Sequence, residues 1–133
     1  MTVGNNKTKM TIASAKLSNY RQAPRKVRLI ADLVRGKSVT HALALLTMLP
    51  KRGSEPMAKL IKSAASNAKD VSANDLYISK IEVNGGMVFK RMMPRARGKG
   101  AQILKRTSHI TLSLAQKAKP KSQAPKSKPA PPK

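Results

Sequence analysis

Few side chains in this sequence could act as general acids, bases or metal ligands. There are two histidines, His41 and His109, five carboxylates and no cysteine. A zinc-type site needs about three or four clustered ligands, so neither a metal nor any other cofactor is expected. Ser108-His109 has the residue types of a nucleophile and its base. The two adjoin on a segment read below as a strand, where neighbours point to opposite faces. Asp32, Glu55, Asp70, Asp75 and Glu82 are dispersed along the chain, whereas a two-metal nuclease needs carboxylates converging on one point. Gly98-x-Gly100 follows no core strand and opens no helix, so it does not read as a phosphate-cradling loop. No enzymatic activity is expected, and purified protein should not cleave RNA in the presence of magnesium.

What the chain has in quantity is positive charge. Its 133 residues carry 28 Lys+Arg against 5 Asp+Glu, a formal net charge of +23. A compact domain with that charge repels itself unless a polyanion neutralises it. The polyanions on offer are nucleic acid and anionic membrane. A membrane-surface helix would set Trp, Phe or Leu opposite its cations, and this chain has one Phe and no Trp. No apolar run approaches the ~18 residues of a membrane span, and MTVGNNKTKM lacks a signal-peptide core. The sequence reads as a soluble intracellular protein whose partner is nucleic acid, not membrane. Arginine suits that partner, because its guanidinium binds phosphate through two N–H groups and stacks on bases.

The charge is unevenly spread. All five acids lie within residues 1–82, and residues 83–133 hold 13 cations and no acid. The second part therefore cannot satisfy its cations internally. Within it, residues 117–133 carry six Lys and five Pro and no large apolar side chain. Such a segment cannot bury enough surface to offset its ordering entropy, and a disordered basic tail is expected. Residues 1–9 read as a flexible N-terminus. One α+β domain over 10–116 accounts for the rest, since the length suits one modest core.

The elements follow from apolar spacing. Residues 11–17 (TIASAKL) alternate mildly, as a strand does. Pro24 suits the first turn of a helix whose buried stripe is Val27, Ile30, Ala31 and Val34. Arg25, Arg28, Asp32 and Arg35 share the other face, with Asp32 placed to pair with Arg28 or Arg35. Gly36 ends this helix. Ser38 is placed to cap a second helix, carrying Val39, Ala42, Leu43, Leu46 and Leu49, and Pro50 stops it. Ser54 is placed to cap a third, with the stripe Met57, Leu60, Ile61, Ala64, Ala65, Ala68 and Val71. LYISKIEV (76–83) is rich in strand formers, but Leu76 and Ile78 are out of phase with Ile81 and Val83, which a bulge near Ser79 or Lys80 would reconcile. Ile110, Leu112 and Leu114 alternate with polar residues as in a half-buried strand. The fold expected is a small antiparallel three-stranded sheet packed against three helices, with a protruding arm.

That arm is GGMVFKRMMPRARGKGAQILKRTS, between the last two strands. Asn84-Gly85-Gly86 could be a tight hairpin turn. The alternative is that both strands continue as a long ribbon, with its tip near residues 90–100. A tight turn would leave 94–106 as an irregular loop of a size uncommon in small domains. A long ribbon this cationic and this poor in apolar pairs would need an external partner to hold its shape.

At this point PRKVRLIADLVRGKSV (24–39), KLIKSAASNA (59–68) and above all FKRMMPRARGKGAQILKRTSHITLSL (89–114) closely resemble the large-subunit ribosomal protein 22 family in its bacterial form. The similarity spans roughly residues 11–114. Gly85-Gly86 stands where the family commonly has Gly-Pro, and Lys99-Gly100 where Arg-Ala is usual. The resemblance implies a cytoplasmic, ribosome-bound structural protein that binds large-subunit ribosomal RNA and assists its assembly. It implies an α+β body with an extended β-hairpin, over about 84–106, whose tip lines the polypeptide exit tunnel. Carried over, the tip is Phe89, Lys90, Arg91, Met92, Met93, Pro94 and Arg95. Arg97, Lys99, Lys105 and Arg106 are expected on the stem against RNA, with Arg25, Lys26, Arg28, Arg35 and Lys37 facing phosphates from the body. His109 is expected to contact RNA or to pack. The partners implied are ribosomal RNA, neighbouring large-subunit proteins and the nascent polypeptide, with no homo-oligomer. A DNA-compacting protein is the competing reading of the charge, and it would bind any duplex equally without preferring folded ribosomal RNA.

Overall fold

The computed structural model describes residues 11–68 and 71–116. The Lys/Pro-rich tail and the N-terminal residues 1–9 lie outside the described residues. Elements run β1 (Ala13–Tyr20), α1 (Pro24–Val34), α2 (Val39–Met48), α3 (Ser54–Asn67), β2 (Leu76–Pro94), a single 3-10 turn (Ala96–Gly98) and β3 (Gly100–Gln116). The three strands form one antiparallel sheet in the order β1-β3-β2. The fold is thus α+β, as the apolar spacing implied.

The helices bury the stripes that their spacing marks out. Val27, Ile30, Ala31 and Val34 of α1, and Met57, Leu60, Ile61 and Ala64 of α3, pack with Ile78, Ile81, Ile110, Leu112 and Leu114 of the sheet. Each fully buried Leu, Ile or Met contributes roughly 1.5–3 kcal/mol of burial, which is what holds the helices to the sheet. Gly36 ends α1 with φ +74, the left-handed conformation glycine adopts without steric cost. Its N–H then bonds to the Ile78 carbonyl at 3.1 Å, and the Ile78 N–H bonds to Lys37 O at 2.9 Å. The end of α1 is so stitched to the outer edge of β2.

Three local details differ from expectation. β1 starts at Ala13 and runs on to Tyr20, through an irregularity between Leu17 and Tyr20 at which Asn19 takes φ +54. The N-cap of α3 is Gly53, not Ser54. A Cβ at residue 53 would stand 2.6 Å from Ile30 Cδ1, so α1 packs directly against the glycine backbone and leaves no room for a capping side chain. The Ser54 hydroxyl instead donates to Leu49 O at 3.0 Å, holding the α2–α3 connection closed. Ser38 does occupy the N-cap of α2, but its side chain makes no capping bond; its backbone bridges to Tyr77.

The bulge expected near Ser79 is present: the β2–β3 register shifts between Ile78 and Lys80. It brings Leu76 and Ile78 onto the same buried face as Ile81 and Val83. No buried apolar residue lies between Val83 and Ile110, so β2 and β3 leave the core together.

Candidate nucleic-acid interface

Beyond the core, β2 and β3 continue as a ribbon; there is no turn at Asn84-Gly86. A second register shift lies between Gly85 and Val88, where Gly86 and Met87 both face Thr107. The Thr107 hydroxyl donates to Met87 O at 2.8 Å. A Cβ on Gly86 would come 2.5 Å from Thr107 Oγ1 and 3.0 Å from His109 Nε2, so this joint between body and arm closes only around glycine. His109 is half-buried, and its Nδ1 accepts the Asn19 N–H at 3.1 Å. Ser108 is fully buried, with no hydrogen-bond partner for its hydroxyl. Ser108 and His109 therefore form no nucleophile–base pair.

Above the joint the ladder runs without interruption from Val88↔Arg106 to Pro94↔Gly100, about 20 Å at strand rise. Its first four rungs are Val88↔Arg106, Phe89↔Lys105, Lys90↔Leu104 and Arg91↔Ile103. Each sets one cation opposite one apolar residue. Like charges directly opposite would destabilise the pair, and here none meet. Because side chains alternate between faces, both faces of the arm carry cations and apolar groups together. Every residue from Phe89 to Gly100 is exposed. Among the described residues the ion pairs are Arg35–Asp32, Lys59–Glu55 and Lys80–Glu82, so no arm cation has an acidic partner.

The chain reverses at Arg95–Lys99, where Arg95 N–H bonds to Lys99 O at 2.8 Å and Arg97 and Gly98 both have positive φ. The reversal falls within residues 90–100, where the continuing ribbon was expected to have its tip. Phe89 to Pro94 belong to the ladder and do not form its reversal, and Arg97 and Lys99, expected on the stem, sit in the turn. Phe89 lies at the root, against the body. Lys105 and Arg106 flank it from β3.

On the body, Arg25 and Lys26 are exposed on α1. Arg28 and Arg35 are committed to the sheet: Arg28 donates to Val83 O, and Arg35 Nη2 donates to Ile81 O at 3.3 Å. Arg35 also pairs with Asp32 at 3.1 Å, settling which arginine that acid takes. Lys37 is half-buried in the turn after α1.

Two cations that the sequence reading did not single out complete the surface. The Arg21 guanidinium lies over the Phe89 ring, 5.5 Å from its centroid, and Arg52, from the α2–α3 connection, shares a recess with Arg21, Phe89, Lys105 and Arg106. A second recess gathers Arg25, Arg28 and Arg106 around Gly85. No pattern of spacing marks Arg21 or Arg52. Their relevance arises only where β1, the α2–α3 connection and the arm come together.

Residues 15–115 match the family model described as ribosomal protein L22p/L17e. The chain is 53% identical over 103 residues to the large ribosomal subunit protein uL22 of Herpetosiphon aurantiacus, covering 75% of this chain and 91% of that protein. It is 47% identical over 108 residues to the protein of the same name from Geobacter sulfurreducens, covering 79% and 97% of the two chains. With that of Caldicellulosiruptor saccharolyticus it shares 44% identity over 116 residues, covering 85% and 95%.

Proposed function

The chain belongs to the ribosomal protein L22p/L17e family, and from that premise we infer that it is a non-catalytic structural constituent of the large ribosomal subunit. It binds large-subunit ribosomal RNA, assists folding of that RNA during assembly, and extends its arm to line the polypeptide exit tunnel. Neighbouring subunit proteins and the nascent polypeptide are its further partners.

One observation carries the reading: an exposed ladder presents cations and apolar groups on both faces, with no acid of its own to neutralise them. Water alone leaves Val88, Phe89, Ile103 and Leu104 poorly placed. RNA fits both halves of the pattern, since phosphates take the Lys and Arg heads while sugars and bases cover the apolar groups. Lys90, Arg91, Arg95, Arg97, Lys99, Lys105 and Arg106 are the phosphate contacts of the arm, and Arg25, Lys26 and Lys37 those of the body. Arg28 and Arg35 contribute with whichever N–H groups the sheet edge leaves free. His109 serves as a positioning residue at the joint. Met92, Met93 and Pro94, next to the reversal, are the residues that face the tunnel.

The test is sedimentation of the tagged chain expressed in bacterial cells. It should travel with large subunits and persist through a moderate salt wash, and its affinity for purified ribosomal RNA should fall linearly with log salt. Recovery on DNA alone would overturn the reading.

A further inference from the structure

We propose that the root of the arm holds one unstacked ribonucleotide, its base stacked on the Arg21–Phe89 pair and its phosphate held by Arg52 and Lys105. The proposal rests on the RNA-binding reading above and gives it one specific site.

Phe89 is the only phenylalanine of the chain. It is 44% exposed, on a segment where no core needs it. Aromatic rings bind single-stranded RNA by stacking, and every base has a face to stack. Arg21 lies over this ring at cation–π distance, which places a positive charge beside the position where a base would stack on the ring. The recess beside the ring encloses about 320 Å³, at the small end of the roughly 300–1,000 Å³ of ligand clefts. Its walls carry Arg21, Arg52, Lys105 and Arg106 and no acid. The adjoining hollow is lined by Asn19, Arg21, Met87, Phe89 and Thr107, so the ring and Met87 supply apolar surface beside the cations, as a base lies beside its phosphate in one nucleotide. Thr107 itself is buried, its hydroxyl donating to Met87 O, so it shapes the floor of the recess and offers no polar group to a base.

A paired, stacked base cannot offer its face to a protein ring, and the deep, narrow major groove of A-form RNA excludes side chains. The nucleotide is therefore one splayed from a loop or bulge.

The experiment is binding of the full chain to purified large-subunit ribosomal RNA over a series of salt concentrations. Phe89→Leu should weaken binding roughly tenfold without changing the salt slope, because it removes stacking and no charge. Phe89→Tyr should bind as the wild type does. Arg52→Ala should weaken binding and lower the slope by about one, as loss of one phosphate contact does. Phe89 lies outside the core, and unchanged thermal unfolding of each variant separates lost stacking from lost folding. A Phe89→Leu protein that binds like the wild type, or a tyrosine variant as impaired as the leucine one, overturns the site while leaving RNA binding intact. Failure of the wild type itself to bind would instead remove the reading on which the site rests.

Discussion

Arg28 donates both its Nε–H and an Nη2–H to the carbonyl of Val83, at 3.2 and 3.1 Å. Val83 is the last buried apolar residue of β2 before the arm, and β2 is an edge strand. With Arg35 on Ile81 O and the Gly36-Lys37 turn on Ile78, α1 covers the carbonyls that β2 would otherwise offer to another chain. Exposed strand edges invite such pairing. In this body the same basic helix that faces outward also closes the sheet.

Arg28→Met should therefore lower stability by about 1–2 kcal/mol, the cost of leaving a partly buried carbonyl without its donors. Arg25→Met, one turn away and making no such bond, should change stability by less than about 0.5 kcal/mol. Urea unfolding of the two variants checks the contrast. Equal effects would mean that Arg28 acts only through its charge.

Gly86→Ala should destabilise the joint by about 1–3 kcal/mol, as overpacking does, because the added methyl meets Thr107 Oγ1 and His109 Nε2. Gly85→Ala has nothing within 4 Å of the new carbon and should be neutral or slightly stabilising. Thermal unfolding of the two single variants distinguishes adjacent glycines that look alike in the sequence.

Deleting Lys90–Pro94 should leave the body folded, since no core residue lies in that stretch. Its affinity for ribosomal RNA should fall along with the salt slope, with two cations gone. Leu60→Asp should do the reverse. Leu60 is 6% exposed, and an unpaired carboxylate in the core costs several kcal/mol or more, so near-ultraviolet and amide signals of the folded body should be lost.

Amide hydrogens of residues 88–93 and 100–106 should exchange fast in the free chain and slowly in complex with ribosomal RNA. The ladder is regular but has no core beneath it, and such elements open at low free-energy cost. Slow exchange in dilute buffer with nothing bound would show that the arm needs no partner to hold its shape.

Glu55 lies in the first turn of α3 and pairs with Lys59 at 2.7 Å. The hydrogen bond from Lys59, and then its positive charge, hold the carboxyl below its ordinary value of 4.5. A lowered folded-state value makes the pair stabilising above the unfolded pKa, and that contribution disappears as pH falls through the folded one. The stability difference between wild type and Glu55→Gln should be small near neutrality, because the pair is exposed, and should close as acid is added.

Much of the body was legible in the residues themselves. Val27, Ile30, Ala31 and Val34 repeat at helical spacing, and so do Met57, Leu60, Ile61 and Ala64; each set is buried as a stripe. The phase break between Ile78 and Ile81 announced the bulge at Ser79. The absence of acids after Glu82 announced an arm whose cations meet no acidic partner among the described residues. These are properties of neighbours in the chain, and a linear reading reaches them.

The candidate site was only partly legible. The sequence established which side chains are cationic, but not which of them the fold uses for itself. Arg28 and Arg35 look like Arg25 until β2 comes alongside α1 and presents its carbonyls. Ser54 reads as a cap until α1 closes over Gly53. Phe89 reads as part of a tip until the register carries the reversal out to Arg95–Lys99 and leaves the ring beside Arg21. The sequence by itself determined the periodicities and the excess of charge, which depend on residues near one another along the backbone. Only the tertiary structure decided where the arm begins, where it turns and what surrounds its root, because hydrogen-bond register and cation–ring contacts are set between segments distant in sequence.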